Sequence, residues 1–222
     1  MKKILILLFF SYITAYQITA INSTLITYKY EERTGKSVKY FTRIFDVDEG
    51  VFKLSYMDDS GVISTATYAP YETDWHFTDK KDGTDIFFSR SKNVIIGKGT
   101  FKSKTFNRKY QIDNDEWIQV IEFSLSDFVN SSGKQKSFWA IRTIDMNIFK
   151  MVMEKKGSEM ITVKGKPHNS VKMVLSALGF SAFWHADYWF SIDDKTMMKY
   201  EAYRSMDKKD KTFIELISGI KK

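Results

Sequence analysis

The chain has 222 residues, 16% of them aromatic, with two prolines, no cysteine, and 34 Lys and Arg against 27 Asp and Glu for a formal charge of +7. That length suits one domain, able to bury roughly 70% of the surface its unfolded chain exposes without a metal or a cross-link. Missing cysteine excludes structural disulfides, thiol catalysis, cysteine-ligated zinc, iron–sulfur clusters and a lipid-modified cysteine after a leader, and a basic excess spread along the whole chain rather than gathered in a stripe argues against a nucleic-acid partner.

Residues 1–20, MKKILILLFFSYITAYQITA, read as a secretory signal peptide: Lys2 and Lys3, then an apolar run over 4–10, then Ala15 or Ala20 as the cleavage position. The run is shorter than the about 20 apolar residues a spanning helix needs. The mature chain, 21–222, is therefore expected to be one β-rich domain, periplasmic or secreted and not transmembrane once the leader is removed.

Period-two alternation dominates the mature chain. STLITYKYEE sets Ile26, Tyr28 and Tyr30 on one face and Thr27, Lys29 and Glu31 on the other, a strand with one wet side. RTGKS turns the chain, VKYFTRIFDV continues it, and DEG leads to VFKLSYM, with Phe52, Leu54 and Tyr56 on one side. DDSG and VISTATYA complete a four-strand antiparallel meander. After the polar connection around Pro70 come a short strand at Trp75 and Phe77, a hairpin at KKDGTD, and strands in IFFSRS and NVIIGKGTFKSKTFNRKYQID, where Gly97 and Gly99 mark a bulge or a close backbone approach.

DEWIQVIEFSLSDFVNSSG, 115–133, is the one candidate helix, over about 116–130. Trp117, Val120, Ile121, Leu125 and Phe128 approximate a helical face and Asp115 could cap it, with a strand as the alternative because Val, Ile and Phe are plentiful. From SFWAIR onward β character resumes, with a hairpin turn expected at EKKGSE (154–159) and a break at KGKPH (164–168). In WHADYWFSIDDKTMMKYE (184–201), a pleat sends Trp184, Ala186, Tyr188 and Phe190 one way and Phe183, His185, Asp187 and Trp189 the other, and IDDK turns the chain into the next strand. The fold class expected is all-β and mainly antiparallel: a strongly curved sheet, half-barrel or barrel-like.

Little here reads as chemistry. His185 and Asp187 share a strand face and could serve a hydrolase, but i,i+2 neighbours stand about 7 Å apart and no nucleophile elbow accompanies them. His76, His168 and His185 are scattered without metal-ligand spacing, DNDE and DKKDG do not continue into a calcium loop, and GKG lacks the rest of a phosphate loop. No enzyme, cofactor or metal is expected. The aromatic residues suit a sheet core, or the lining of an apolar cavity in a curved sheet, with Met151, Met153, Met173, Met197 and Met198 as adaptable filling. Tyr28, Tyr30, Phe52, Tyr56, Trp184, Tyr188 and Trp189 are the candidate ligand-binding residues.

The leader, the TYKYE strand, NVIIGKGTFKSKTFNRKYQID followed by DEWIQVIEFSLSDFV, SFWAIR, and the late ADYWFSIDDKTMMKYE hairpin together resemble the exported bacterial proteins of the DUF3108 type. In plan the chain is also similar to LolA- and LolB-like half-barrels, which carry lipoproteins through the periplasm. The resemblance implies a curved antiparallel sheet with an apolar concave side and lends no catalytic residue. The leader, the aromatic excess and the lack of a chemical signature point to an exported carrier of an apolar small molecule such as a lipid or acyl chain; the alternative is an envelope structural or interaction protein with a protein partner and no ligand.

Overall fold

The computed structural model describes residues 24–48, 51–68, 72–179, 184–203 and 211–221; the expected signal peptide and the connection at Pro70 lie outside them. The alternating segments form a first run of strands, β1 (Thr24–Thr34), β2 (Ser37–Asp48), β3 (Val51–Asp58), β4 (Val62–Tyr68), β5 (Glu72–Asp79), β6 (Thr84–Ser91), β7 (Val94–Phe101) and β8 (Lys104–Gln111). Between it and a second run come β9 (Glu116–Trp117) and the helical turns α1 (Ile121–Ser124) and α2 (Ser126–Asn130). The second run is β10 (Gln135–Arg142), β11 (Asn147–Val163), β12 (Lys166–Ala177), β13 (His185–Ser191), β14 (Met197–Tyr203) and β15 (Lys211–Lys221).

All fifteen strands belong to one sheet, in which each run is an antiparallel meander and β9 alone pairs in parallel, with β10. The runs join where β1 pairs with β15, from Ile26 opposite Lys221 to Thr34 opposite Thr212, with a bulge after Lys29. Strands β8 and β9 are left as the sheet's edges. The β8 edge meets the turn between β10 and β11 through side chains instead of a ladder. Lys102 Nζ donates to the Ile144 carbonyl at 3.1 Å, Arg108 to the Asp145 carbonyl at 3.3 Å, and the Tyr110 hydroxyl to that of Met146.

One face carries the core, in rows that cross the strands. Ile26, Phe45, Leu54, Ala66, Trp75, Phe88 and Gly97 stand side by side across β1 to β7. Glycine at the end of this row makes room for a ring: a Cβ on Gly97 would lie 2.3 Å from Phe88 Cε1. At Gly99, with φ +142°, a Cβ would lie 2.1 Å from the Asp85 carbonyl oxygen, so the close approach read from the sequence occurs between β6 and β7.

Of the two expectations for the aromatic residues, sheet core or cavity lining, packed core accounts for many of them. The segment 112–130 lies against the inner face as a plug. Its Ile112, Trp117 and Val120 pack with Trp75, Phe88 and Ile95 of the first run, and its Ile118, Leu125, Phe128 and Val129 pack with Phe138, Met153 and Tyr188 of the second. Trp117 is fully buried and meets Phe88 edge-on, ring centroids 6.4 Å apart. Each of these side chains contributes about 1.5–3 kcal/mol of transfer free energy.

The plug is helical only at α1 and α2, shorter than the helix expected over 116–130. Pairing to β10 overrides helical propensity at its start. Ile118 N–H donates to the Trp139 carbonyl at 2.8 Å, and the Gln119 amide mimics a strand by accepting from Ile141 N–H and donating to the Ile141 carbonyl. Asp115 caps no helix. It accepts from Ser137 and pairs with Lys150 at 2.8 Å, beside Asp113, which accepts from Trp139 and also pairs with Lys150.

EKKGSE also departs from expectation. No turn forms there: β11 runs unbroken through it, with a bulge between Lys155 and Gly157. The hairpin closes instead at Lys164 and Gly165, both at positive φ, the backbone that a two-residue turn matching strand twist requires. The long hairpin reaches back outside the sheet, where Lys164 Nζ donates to Glu31 of β1 at 3.2 Å and Glu159 accepts from the Trp189 indole.

Gly99→Ala should destabilise the protein by about 3–5 kcal/mol, adding backbone strain to a clash with Asp85, whereas Gly157→Ala, with φ +136° but no atom within 4 Å of its added Cβ, should cost about 1–2 kcal/mol. Equal losses in urea unfolding would show that the β6–β7 approach does not matter. Acid should weaken the fold through its paired carboxylates. Lys150 holds the Asp113 and Asp115 carboxyls below the usual range, and Arg142 brings Asp145 down to about 2. Depressed carboxylates stabilise the fold above their unfolded value near 4 and lose that contribution as pH falls through the folded value. Unfolding free energy should therefore drop between about pH 4 and pH 2, and less steeply in Lys150→Met; parallel curves would refute the linkage.

Candidate functional site

The second row of the inner face is interrupted by charge. Tyr28, Arg43, Tyr56, Ser64, Phe77 and Ile86 stand opposite one another across β1 to β6, and strand alternation puts Arg43 between the inward-facing Phe41 and Phe45. The guanidinium carbon lies 4.3 Å from the centre of the Tyr56 ring and 5.3 Å from that of Phe41. Its Nη2 donates to Glu122 of the plug at 2.8 Å, in a pair whose side chains are only 12% and 15% exposed. The Arg43 Nε–H finds no acceptor among the described residues although it is buried. An orphaned buried donor costs about 1–3 kcal/mol, so Arg43 is an expensive side chain to keep in an apolar row.

Beside Arg43 the plug leaves a cavity of about 360 Å³, open to solvent. Phe41, Tyr56, Trp75 and Phe77 supply aromatic walls; Gln119, Val120 and Glu122 of the plug form another side; Thr143 and Ile214 come from the second run. Glu32, Asp58 and Asp79, at the ends of their strands, contribute carboxylates. Asp58 accepts from the Tyr56 hydroxyl at 3.2 Å and from Ser60, and Ser64 accepts from the Trp75 indole at 2.6 Å. Burial, reinforced by Asp58, pushes the Tyr56 hydroxyl well above its ordinary range, so it stays a neutral donor. No group of three or more His, Asp or Glu among the described residues is close enough to hold a metal ion. The site brings together aromatic faces, carboxylates and one guanidinium.

Of the candidate ligand-binding residues, Tyr56 lines this cavity. Tyr30 is buried beside it, stacked on Phe41 at 5.1 Å, and Tyr28 is half-buried, its hydroxyl accepting from Thr196 at 2.8 Å. Tyr188 is buried in the second run's cluster, stacked on Phe190. Trp184 donates to the Tyr203 carbonyl at 2.9 Å. Trp189 is buried yet belongs to neither core cluster; it lies on the outer face between the ammonium groups of Lys172 and Lys199, 4.9 and 5.0 Å from its ring. The Phe52 side chain is outside the described structure. His185 is exposed and Asp187 pairs with Lys172 at 2.8 Å. Arg43 and Glu122 were missed by the sequence reading, although a charge at an inward position of YFTRIF was the available signal.

Because Arg43 and Glu122 neutralise each other in a mostly buried setting, Arg43→Met should cost about 2–4 kcal/mol by stranding the carboxylate, while Arg43→Met combined with Glu122→Met should return stability to within about 1 kcal/mol of the parent. Urea unfolding of the four-member cycle checks this; additive losses would mean that the pair is not coupled.

No family model and no curated protein matches the chain. Among solved structures it is similar to a β-barrel-like protein of the domain of unknown function DUF1849 from Brucella abortus, at TM-score 0.50 and 6% identity, over 90% of this chain and 98% of that one. Weaker likenesses are to the hypothetical lipoprotein YmcC of Escherichia coli K12 (TM-score 0.41, 7% identity, 91% and 87% covered) and to the Pseudomonas aeruginosa MucA/MucB complex (TM-score 0.18, 7% identity, 87% of each). Among the described residues no helix is long and apolar enough to cross a membrane. At these identities the likeness concerns the fold alone: this chain has the curled, mostly antiparallel plan of a β-barrel-like protein of unknown function.

Proposed function

We propose that the protein is an exported, non-enzymatic binding protein that holds a small ligand in the cavity beside Arg43. The observation that carries this reading is the lining itself: a solvent-connected space of about 360 Å³, within the size range of small-molecule sites, where aromatic walls meet a few convergent polar groups. Export rests on the leader read in residues 1–20. An acyl chain suits the site less well than the sequence alone implied, because the plug occupies the apolar interior and carboxylates border what is left open. The filled interior also favours a second reading, an envelope interaction protein without a ligand.

Native mass spectrometry on protein purified from its own envelope fraction separates the two. A stoichiometric small-molecule adduct, lost in Tyr56→Ala, is the expected outcome, and N-terminal sequencing should find the chain starting after Ala15 or Ala20. A ligand-free spectrum that stays ligand-free after exposure to envelope extract would leave the interaction reading in possession.

A further inference from the structure

We infer that the outer face of β6 to β8 docks on an anionic phospholipid bilayer. The basic excess read as evenly spread has one exception: residues 86–112 carry Arg90, Lys92, Lys98, Lys102, Lys104, Arg108 and Lys109 and no Asp or Glu. The fold makes this stretch an edge, since β8 ends the sheet. Alternation sends Phe88, Gly97 and Phe106 inward, so Phe87, Lys98 and Lys109 point out. Lys98 stands directly opposite Phe87, and Lys109 stands opposite Ile96, one step along the same face. Lys92 and Lys104 lie at the two ends, beside the turns that enter and leave β7. Lys92, Lys98, Lys104 and Lys109 are exposed and have no carboxylate partner among the described residues. The carboxylates that share this face, Asp74 and Asp85, lie on β5 and at the start of β6, and Asp85 pairs with His76 at 2.7 Å.

Phe87 is 50% exposed among these cations. Charge kept for solubility alone gains nothing from an uncovered ring, whereas a bilayer uses both, with lysines on phosphates and an aromatic side chain at headgroup level. Other anionic partners fit less well. Lysine lacks the planar fork that recognises one anion, and these lysines are spread along β7, over roughly 25 Å of the outer side of a curled sheet. An acidic strand added to β8 would have to displace the turn between β10 and β11, whose Ile144, Asp145 and Met146 carbonyls are held by Lys102, Arg108 and Tyr110. A plane of phosphates matches the spread.

Co-sedimentation with phosphatidylcholine vesicles containing phosphatidylglycerol tests the inference. Binding should appear at low salt, weaken as sodium chloride is added, and be absent with pure phosphatidylcholine. A lysine beside an anionic surface contributes about fivefold in affinity, so Lys98→Gln combined with Lys109→Gln should lower it about twentyfold. Lys53→Gln, which removes a charge from the outer face of β3, should leave it within about twofold. Phe87→Ser should lower vesicle affinity about fivefold and leave any binding of polyphosphate or polyglutamate unchanged, with circular dichroism reporting an intact fold. Because the chain has no cysteine, Ser89→Cys accepts a single environment-sensitive fluorophore two residues from Phe87, and its emission should shift to the blue on anionic vesicles. Absence of vesicle binding at low salt, affinity indifferent to the lysine pair, or an unshifted emission with vesicles bound would each overturn docking by this face. Polyphosphate or polyglutamate bound as tightly as vesicles, with Phe87→Ser silent, would overturn the bilayer and assign the face to a soluble polyanion.

Discussion

Burial of the segment 112–130 against the inner face is the interaction on which the molecule depends. A sheet that alternates wet and apolar residues across fifteen strands must curl to hide its apolar side, yet β8 and β9 share no ladder that would seal it. The chain supplies its own filling. Trp117 and Val120 belong to one core cluster while Leu125 and Phe128 belong to the other, so one short segment contributes to both. Lys150, Gln119 and the Trp139 carbonyl fix where that segment enters.

The location of the open cavity is a consequence of this arrangement. Where the plug presents Trp117 and Leu125, the side chains are fully buried. Where it presents Gln119 and Glu122, the facing row carries Arg43 and Ser64, and a cavity is left open to solvent. A polar position on the plug and a polar position on the wall occur together, so the cavity is built from both surfaces instead of being a defect in one.

Much of the architecture was legible because period two is a local signal. Strands β1 to β4, the turns at Gly61 and Gly83 and the crowding at Gly99 can each be read from a few neighbouring residues. The misread elements depend on distant partners. EKKGSE has turn composition, but a bulge lets β11 pass through it and continue pairing with β12. The helical pattern of 115–133 is overruled at Ile118 and Gln119 by β10, a strand about twenty residues further on. The site was hidden for a related reason. Aromatic residues suited both core and lining in the sequence, and Tyr30 and Tyr188 turn out to be core filling. The informative residue was the exception to the alternation, Arg43, and its partner Glu122 could be recognised only once the plug was known to lie opposite.

The pairing of β1 with β15 brings together residues 178 positions apart at Thr34 and Thr212. Contacts of such long sequence separation are slow to form, because the entropy of closing the intervening loop is lost before the ladder repays it. A chain emerging amino end first leaves β1 with one free side until β15 has been made, and a bare strand side is a template for any other extended chain nearby. Until those later residues arrive, β1 depends on β2 alone for its ladder.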